Sequence, residues 1–511
     1  MKKKLWASYS IIMLLLLCPH YSTTISNSSW RSIQRKIKDT VVQIFAFTFE
    51  KNIIEPYMTP HQQPGRGSGF FIRYEDSIFI VTNAHVVNQA VGIYIHIPSL
   101  GQKPIRCELV SICPDRDLAL LKIIDEELEY VRKGLGGSIP YLMLGDSNTV
   151  CRAEEVLALG YPLGQESLKS TTGVVSSGCE QQFIQIDAPI NPGSSGGPLI
   201  RICLDDEHNA EVIGINSEGI FGAQNIGYSI PINHLKIILP QMMCEKLVKK
   251  PSLGIVISNA SYLADYFGNP IPSGAYIAEV IKESPLDKAG IKQGDMLYEI
   301  DGYSVDEQGN VLVPWSEDRI SIINYIASIG IKDSIHIIVY RAGKRIAATV
   351  SFRDSFDTVI RHTHLGYEPF DYEIFAGMVV TPLTLNHIKL MKQHVPGLQE
   401  YAGLKKQDKP ALLVTHVFPT SVLYLTHTIG CGIIITHINN KEVRTLYDFR
   451  KAIKEAIKKD FILIRGIDTV DCLTDNLCVA LKTNDVLSQE ASLAEQYGYT
   501  LSPMVQSLLE S

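Results

Sequence analysis

Three stretches of the chain place a histidine, an aspartate and a serine among small or turn-forming residues. They are FIVTNAHVV (79–87) around His85, DRDLALLKI (115–123) around Asp117 and NPGSSGGPLI (191–200) around Ser195. These side chains together are what acyl transfer to a hydroxyl requires. Serine is a poor nucleophile at neutral pH, so a neutral imidazole must take its proton as the new bond forms. A carboxylate must hold that imidazole in one tautomer and stabilise the imidazolium. Only glycine lets a backbone turn come this close to a reacting carbonyl. The N–H groups of Gly193 and Ser195 can then converge on the developing oxyanion, where one donor is worth about 10²–10³ in rate. The same glycines permit movement, which leads us to expect an oxyanion hole unformed at rest.

The surrounding sequence must supply rigid elements for these turns. Between about residues 38 and 240 it reads as short β-type runs separated by turns, among them VVQIFAFTF, GSGFFI, LALLKI, EVLALGY and EVIGINS. Many short strands at this spacing predict a sandwich or barrel, and the length suits two small barrels side by side. Helical patterns are scarce until about His234. Near Pro251 the style changes to mixed strand and helix. AGIKQGDMLYEIDGYSV (289–305) aligns with HTIGCGIIITHINNKEV (427–443), which predicts two modules of about 100 residues descended from one. DFRKAIKEAIKK places Phe449, Ala452, Ile453, Ala456 and Ile457 on one helical face. The expected organisation is a leader over 1–25, a β domain over 26–245, modules over 250–355 and 365–485, and a loosely held polar tail over 486–511.

A chain of 511 residues is too long for one core. Its net charge of −7 comes without a large basic block, which argues against nucleic acid as a partner. Lys2, Lys3 and Lys4 followed by the apolar run Ile11 to Leu17 have the pattern of a secretory signal peptide. The protein is therefore expected to be exported, and periplasmic if the source is a Gram-negative-type bacterium. Ten cysteines at scattered spacing do not resemble a disulfide framework, and buried free thiols are the expected state. No CxxC is present, and His362 and His364 lack acidic or cysteine neighbours in sequence, so neither metal nor other cofactor is expected.

TNAHVV, DLALLKI and GSSGGPL resemble the HtrA/Deg family of trypsin-like serine proteases. GRGSGFFI, EVLALGYPLG, TTGVVSS, IQIDAPINPGSSGGPLI, VIGINS and NIGYSIP follow that family in order. SPLDKAGIKQGDMLYEIDG is similar to the core of a Deg PDZ domain, and YEIFAGMVVTPLT in the second module looks most like the plant-type Deg branch. The resemblance covers roughly residues 38–480 and is weaker in the second module. It implies a mainly β fold, with a trypsin-like double β-barrel followed by two PDZ-like α+β modules. It also implies a catalytic triad of His85, Asp117 and Ser195. The family motif G-N-S-G-G selects Ser195 rather than Ser194, which stands where Asn is usual.

The S1 pocket is expected near Asn191, Ile213, Ile215 and Ser217. The stretch 213–217 holds no acidic residue to receive Lys or Arg, so small or medium aliphatic side chains are preferred. Peptide C-termini are expected on the backbone of Leu253, Gly254 and Ile255; in the second module Ala376, Gly377 and Met378 are the candidate loop, beside the equal alternative of a module without a peptide groove that serves assembly. The resemblance implies unfolded polypeptides as substrates, hydrophobic C-terminal peptides as PDZ ligands and a trimer-based homo-oligomer. No P-loop is evident. The rival reading is a PDZ-based chaperone or scaffold with little proteolytic activity, and a narrow, peptide-activated sheddase would share the chemistry.

Overall fold

A computed structural model describes residues 27–178, 183–202, 210–219, 226–259, 262–271, 273–330, 334–352 and 356–510. The expected leader over 1–25 lies outside them, as do Cys179 and Cys203. Helix α1 (Asn27–Ile37) comes first, a helix the strand-rich reading of this region did not anticipate. It buries Trp30, Ile33 and Ile37, three positions of one face, in a core shared by both barrels that follow.

The first barrel is closed. Strands β1 (Val41–Glu50), β2 (His61–Tyr74), β3 (Ser77–Thr82), β4 (Ala90–His96), β5 (Ile105–Cys113) and β6 (Leu118–Ile123) pair in the order β1-β2-β3-β6-β5-β4, and β1 returns to β4. Closure removes both sheet edges. The one-turn helix α2 (Ala84–Val87) follows β3, and α3 (Asp125–Gly134) follows β6. The second barrel contains β7 (Met143–Leu144), β8 (Glu155–Gly160), β9 (Lys169–Ser177), β10 (Ile184–Ile186), β11 (Pro198–Ile202), β12 (Ala210–Gly219) and β13 (Gly227–Pro231). Its order is β11-β8-β9-β10-β13-β12-β7, and the β11–β12 pairing closes the ring. Helix α4 (Ile232–Met242) then packs Leu235, Ile238, Leu239 and Met242 onto the shared core.

The first module contains β14 (Ile255–Ser258), α5 (Leu263–Tyr266), β15 (Ala275–Val280), α6 (Pro285–Lys288), β16 (Met296–Ile300), β17 (Tyr303–Ser304), β18 (Asn310–Val311), β19 (Ile320–Ser321), α7 (Ile322–Ala327), β20 (Ser334–Arg341) and β21 (Lys344–Ser351). Its sheet runs β14-β15-β16-β20-β21, so β14 is an end strand. The second module contains β22 (Glu373–Phe375), β23 (Met378–Pro382), α8 (Leu385–Met391), α9 (Leu404–Gln407), β24 (Leu412–Val417), β25 (Ile434–Ile438), β26 (Lys441–Glu442), α10 (Leu446–Ala456), β27 (Phe461–Ile467) and β28 (Leu477–Lys482). The modules repeat in detail. The Ile281 N–H donates to the Gly254 carbonyl at 2.9 Å, and the Phe418 N–H to the Gly377 carbonyl at 2.8 Å. A Cβ on Gly254 would meet Ser284, and one on Gly377 would meet Ser421.

Two expectations are corrected. The residues taken for a loose polar tail form α11 (Thr483–Tyr497) and α12 (Pro503–Leu509). Val486, Met504, Val505 and Leu508 enter the core of the second module, because their helical spacing collects sparse apolar residues on one side. Of the described cysteines only Cys107 and Cys113 are buried; Cys151, Cys244, Cys431, Cys472 and Cys478 are free and exposed. They sit in loops or on outward strand positions, where the fold has no apolar layer to cover them.

Candidate active site

His85, Asp117 and Ser195 are far apart in sequence; His85 contacts Asp117 directly, and Ser195 is linked to Asp117 through Ser217. His85 is on α2, which starts where β3 leaves the first barrel. Its Nδ1 lies 2.8 Å and 3.0 Å from the two carboxylate oxygens of Asp117, and its backbone N–H donates to Asp117 Oδ1 at 2.9 Å. A carboxylate at Nδ1 selects the tautomer with the proton on that nitrogen, which makes Nε2 the basic nitrogen of the ring. Asp117 ends the turn Pro114–Arg116 with φ +54, the left-handed region. Asp tolerates this conformation better than most residues. The Asn83 side-chain amide donates to the Asp117 carbonyl at 3.0 Å and steadies the strained residue.

Ser195 belongs to the second barrel and is buried, 8% exposed. Its hydroxyl donates to the Ser217 carbonyl at 2.6 Å. The Ser217 hydroxyl donates to Asp117 Oδ2 at 3.1 Å. Ser217, expected in the S1 wall, thus connects nucleophile and acid.

The glycine pair is a packing requirement. Gly196 has φ +86, and a Cβ there would lie 2.2 Å from the Ser68 carbonyl oxygen; on Gly197 it would lie 2.0 Å from that of Leu159. Ser68 ties this turn to the first barrel. Its N–H donates to the Ser195 carbonyl at 2.7 Å, and its hydroxyl donates to the Gly193 carbonyl at 2.7 Å while accepting the Tyr161 N–H at 2.9 Å. The Pro192 carbonyl accepts the Leu163 N–H at 2.6 Å, and the Ser194 N–H donates to Asn191. Among the described residues the N–H groups of Gly193 and Ser195 have no acceptor. The turn therefore leaves two donors available. Sequence reasoning missed the role of Ser68, although GRGSGFFI had singled out its strand.

The S1 expectation is corrected at two positions. Ile213 and Ile215 are fully buried in the barrel cores. Leu199 pairs with Gly214 and Ile200 with Val212, so Ile213 is the extra residue of a β-bulge and turns into the core. Asn191 is exposed beside the nucleophile turn. Ile190, not singled out from sequence, packs where a Cβ on Gly227 would lie 3.0 Å from it.

Of the two candidate peptide loops, Leu253, Gly254 and Ile255 lead into the end strand β14, with Gly254 at φ +72. The loop at Ala376, Gly377 and Met378 is different, and its geometry favours the alternative of a module without a peptide groove. Ala376 (φ +56) and Gly377 (φ +81) form a two-residue hairpin turn, and Phe375 pairs with Met378. Strand β22 covers the edge of β23 that a peptide would use. The Ala376 N–H donates to Glu490 Oε1 of α11 at 2.6 Å, so a carboxylate of the same chain already occupies that donor.

The electrostatics behind Asp117 are set by burial. Burial lowers the Arg116 guanidinium below its ordinary value. It lowers Lys250 too, with Arg116 adding to the effect. His234 is pushed down to about 3 by burial and by those two cations, so it is neutral.

Residues 67–215 match the trypsin-like peptidase domain, and residues 251–352 match the PDZ domain. A probable periplasmic serine endoprotease, DegP-like, of Hahella chejuensis is 29% identical over 78% of this chain and 78% of its own length. The corresponding Marinomonas protein is 27% identical over 77% and 75%. That of Halomonas elongata is 36% identical over 47% of this chain and 48% of its own length. These bacterial relatives do not bear on the plant-type branch. Among solved structures, the HtrA-type protease AlgW with decapeptide is 23% identical, with a TM-score of 0.46 over 63% of this chain and 97% of that one. With a peptidase domain and a PDZ domain in this order, and DegP-like endoproteases similar along three quarters of its length, the chain belongs to the HtrA/Deg family of serine endopeptidases.

Proposed function

We propose that the protein is an exported, ATP-independent endopeptidase that cleaves unfolded polypeptides, with Ser195 as nucleophile, His85 as general base and Asp117 as its orienting acid. The observation that carries this reading is the bonded path from His85 Nδ1 to Asp117, on to the Ser217 hydroxyl, and from the Ser217 carbonyl to the Ser195 hydroxyl. In the first step the Ser195 hydroxyl leaves the Ser217 carbonyl and turns to His85. Nε2 takes its proton as Oγ attacks the scissile carbonyl, and Asp117 stabilises the imidazolium. The oxyanion accepts hydrogen bonds from the N–H groups of Gly193 and Ser195. His85 returns the proton to the leaving amine, and water resolves the acyl-enzyme by the same steps in reverse order.

Export is supported by the leader pattern and by the periplasmic names of the relatives. Hydrophobic C-terminal peptides are read at Leu253–Ile255, where the end strand β14 can accept one more strand. Assembly on trimers is read from family resemblance alone. The test is digestion of casein by the mature protein and by Ser195→Ala, with and without a hydrophobic C-terminal peptide. Cleavage by wild type only supports the reading. No cleavage by either, with aggregation of clients still suppressed, would place the protein with PDZ-based chaperones or scaffolds.

A further inference from the structure

Helix α2, which carries His85, is a single turn, too short to hold its own shape. Its first end is fixed by the bond of the His85 N–H to Asp117. Its other end is fixed just beyond the helix, at Gln89. This residue has φ +54, a left-handed conformation that a non-glycine residue keeps only where its surroundings impose it. Three segments impose it here. The Gln89 carbonyl accepts the Phe49 N–H of β1 at 3.1 Å, and Gln89 Oε1 accepts the Lys51 N–H at 3.1 Å. The third segment lies far along the chain: the Gln89 N–H donates to the Tyr367 hydroxyl at 3.1 Å.

Tyr367 belongs to the connector between the two modules, and neither the peptidase match nor the PDZ match reaches it. Its ring packs against the core cluster of the first barrel that contains Ala84, Val86 and Val87 of α2. The residue before it comes as close, since a Cβ on Gly366 would lie 2.9 Å from Gln89 Cγ.

The connector is built to stay in place. The N–H groups of Tyr367 and Glu368 donate to the His364 carbonyl at 3.1 Å and 3.0 Å, and the Glu368 carboxylate accepts the His364 N–H at 2.8 Å. That carboxylate also pairs with Arg361 at 2.8 Å and with Lys249 at 3.0 Å. Burial raises the Glu368 carboxyl, but the bonds from Arg361, the His364 N–H and Lys249 outweigh it and hold the group at about 2. The cluster therefore stays charged at neutral pH. Toward the second module, the Thr363 N–H donates to the Asn386 side chain and the Leu385 N–H to the Arg361 carbonyl, each at 2.9 Å. The same hairpin reaches the aspartate segment, where His364 Nε2 lies 3.7 Å from Asp115 Oδ1.

We infer that Tyr367 is a positioning residue for the cleavage reaction: its hydroxyl fixes Gln89, and Gln89 fixes the turn that presents His85 to Asp117. The inference rests on the reading of His85 as the general base. Only the remainder of one helical turn and Asn88 separate His85 from Gln89, so a backbone shift at Gln89 has little chain in which to dissipate. A displacement near 1 Å of a reacting group can cost about 10²-fold in rate.

The test compares wild type, Tyr367→Phe, Tyr367→Ala and Gly366→Ala as full-length mature protein at one pH. The readouts are kcat and KM on a fluorogenic peptide, the rate of fluorophosphonate labelling of Ser195, and thermal unfolding. Tyr367→Phe fills the same space and removes only the bond. Its expected result is a kcat lower by about 10-fold with KM within about twofold of wild type, an order set by a sub-ångström shift of the base. Labelling slows by the same factor, and the cooperative unfolding transition is kept. Tyr367→Ala, which loses the ring as well, falls further. Gly366→Ala keeps the hydroxyl but pushes on the Gln89 side chain, and it too lowers kcat with KM unchanged; it carries the test if Tyr367→Phe does not fold. A wild-type kcat and labelling rate in the folded variants, or an effect confined to KM, would make Tyr367 a structural contact only and overturn the inference. Failure of the wild type itself to label or cleave would instead remove the peptidase reading, and the positioning role with it.

Discussion

The Ser195 hydroxyl donates to the Ser217 carbonyl, 2.6 Å away, while the Ser217 hydroxyl donates to Asp117. One residue thus holds the candidate nucleophile in a resting rotamer and supports the carboxylate proposed to orient its base. Ser217→Ala keeps the carbonyl and loses the hydroxyl. The expected result is a fall of about 10-fold in kcat/KM, the size of one hydrogen bond to a charged group, with folding preserved. Fluorogenic peptide kinetics check it, and a fall as complete as that of Ser195→Ala would mean that Ser217 does more than steady Asp117.

Ser68 joins the nucleophile turn to the first barrel through Gly193, Ser195 and Tyr161. Ser68→Ala leaves the Ser195 carbonyl bond, which uses the backbone, and releases Gly193. The expected loss is about 10- to 100-fold, carried by kcat rather than KM, because the oxyanion donors lose alignment. Active-site labelling compared with steady-state cleavage would show it; an effect confined to KM would refute the assignment.

The two modules should differ in peptide binding. Strand β14 ends its sheet, whereas β23 is already flanked by β22 and its Ala376 N–H is held by Glu490. Titration with a Val-Val-Val carboxylate peptide should give one site per chain. Gly254→Val should abolish it, since a Cβ there would lie 2.4 Å from that of Ser284 at φ +72. Two equal sites would contradict this.

Glu490 gives the second module a pH dependence. Burial, with a smaller contribution from Glu373, raises its carboxyl from 4.5 to about 7, against the opposing Ala376 N–H bond. A raised folded-state value means the folded chain binds the proton more tightly. Stability is therefore highest below the unfolded value of 4.5, falls as pH rises toward about 7 and is level above it. The span is on the order of 3 kcal/mol. Glu490→Gln, neutral throughout, should flatten the thermal midpoint against pH between 5 and 7.5. An unchanged slope would refute the role of Glu490.

The sequence by itself determined the parts that depend on residue type and local spacing. Strand periodicity indicated the barrels. The glycine pair marked a turn too tight for any side chain, and the three motifs named His85, Asp117 and Ser195. It also indicated the two modules as repeats, through the alignment of 289–305 with 427–443. Tertiary structure decided what those segments touch. The bulge that turns Ile213 inward depends on a register between β11 and β12, and register is a property of two strands. The bond from Ser217 to Asp117 spans 100 residues, and the bonds from Arg116 to the end of α7 span more than 200. The sequence leaves the second module open between peptide binder and groove-less module, and β22 and Glu490, which occupy its edge from outside the motif, favour the second. A motif specifies which groups a site offers, whereas the partners of those groups are set by long-range packing that no local spacing encodes.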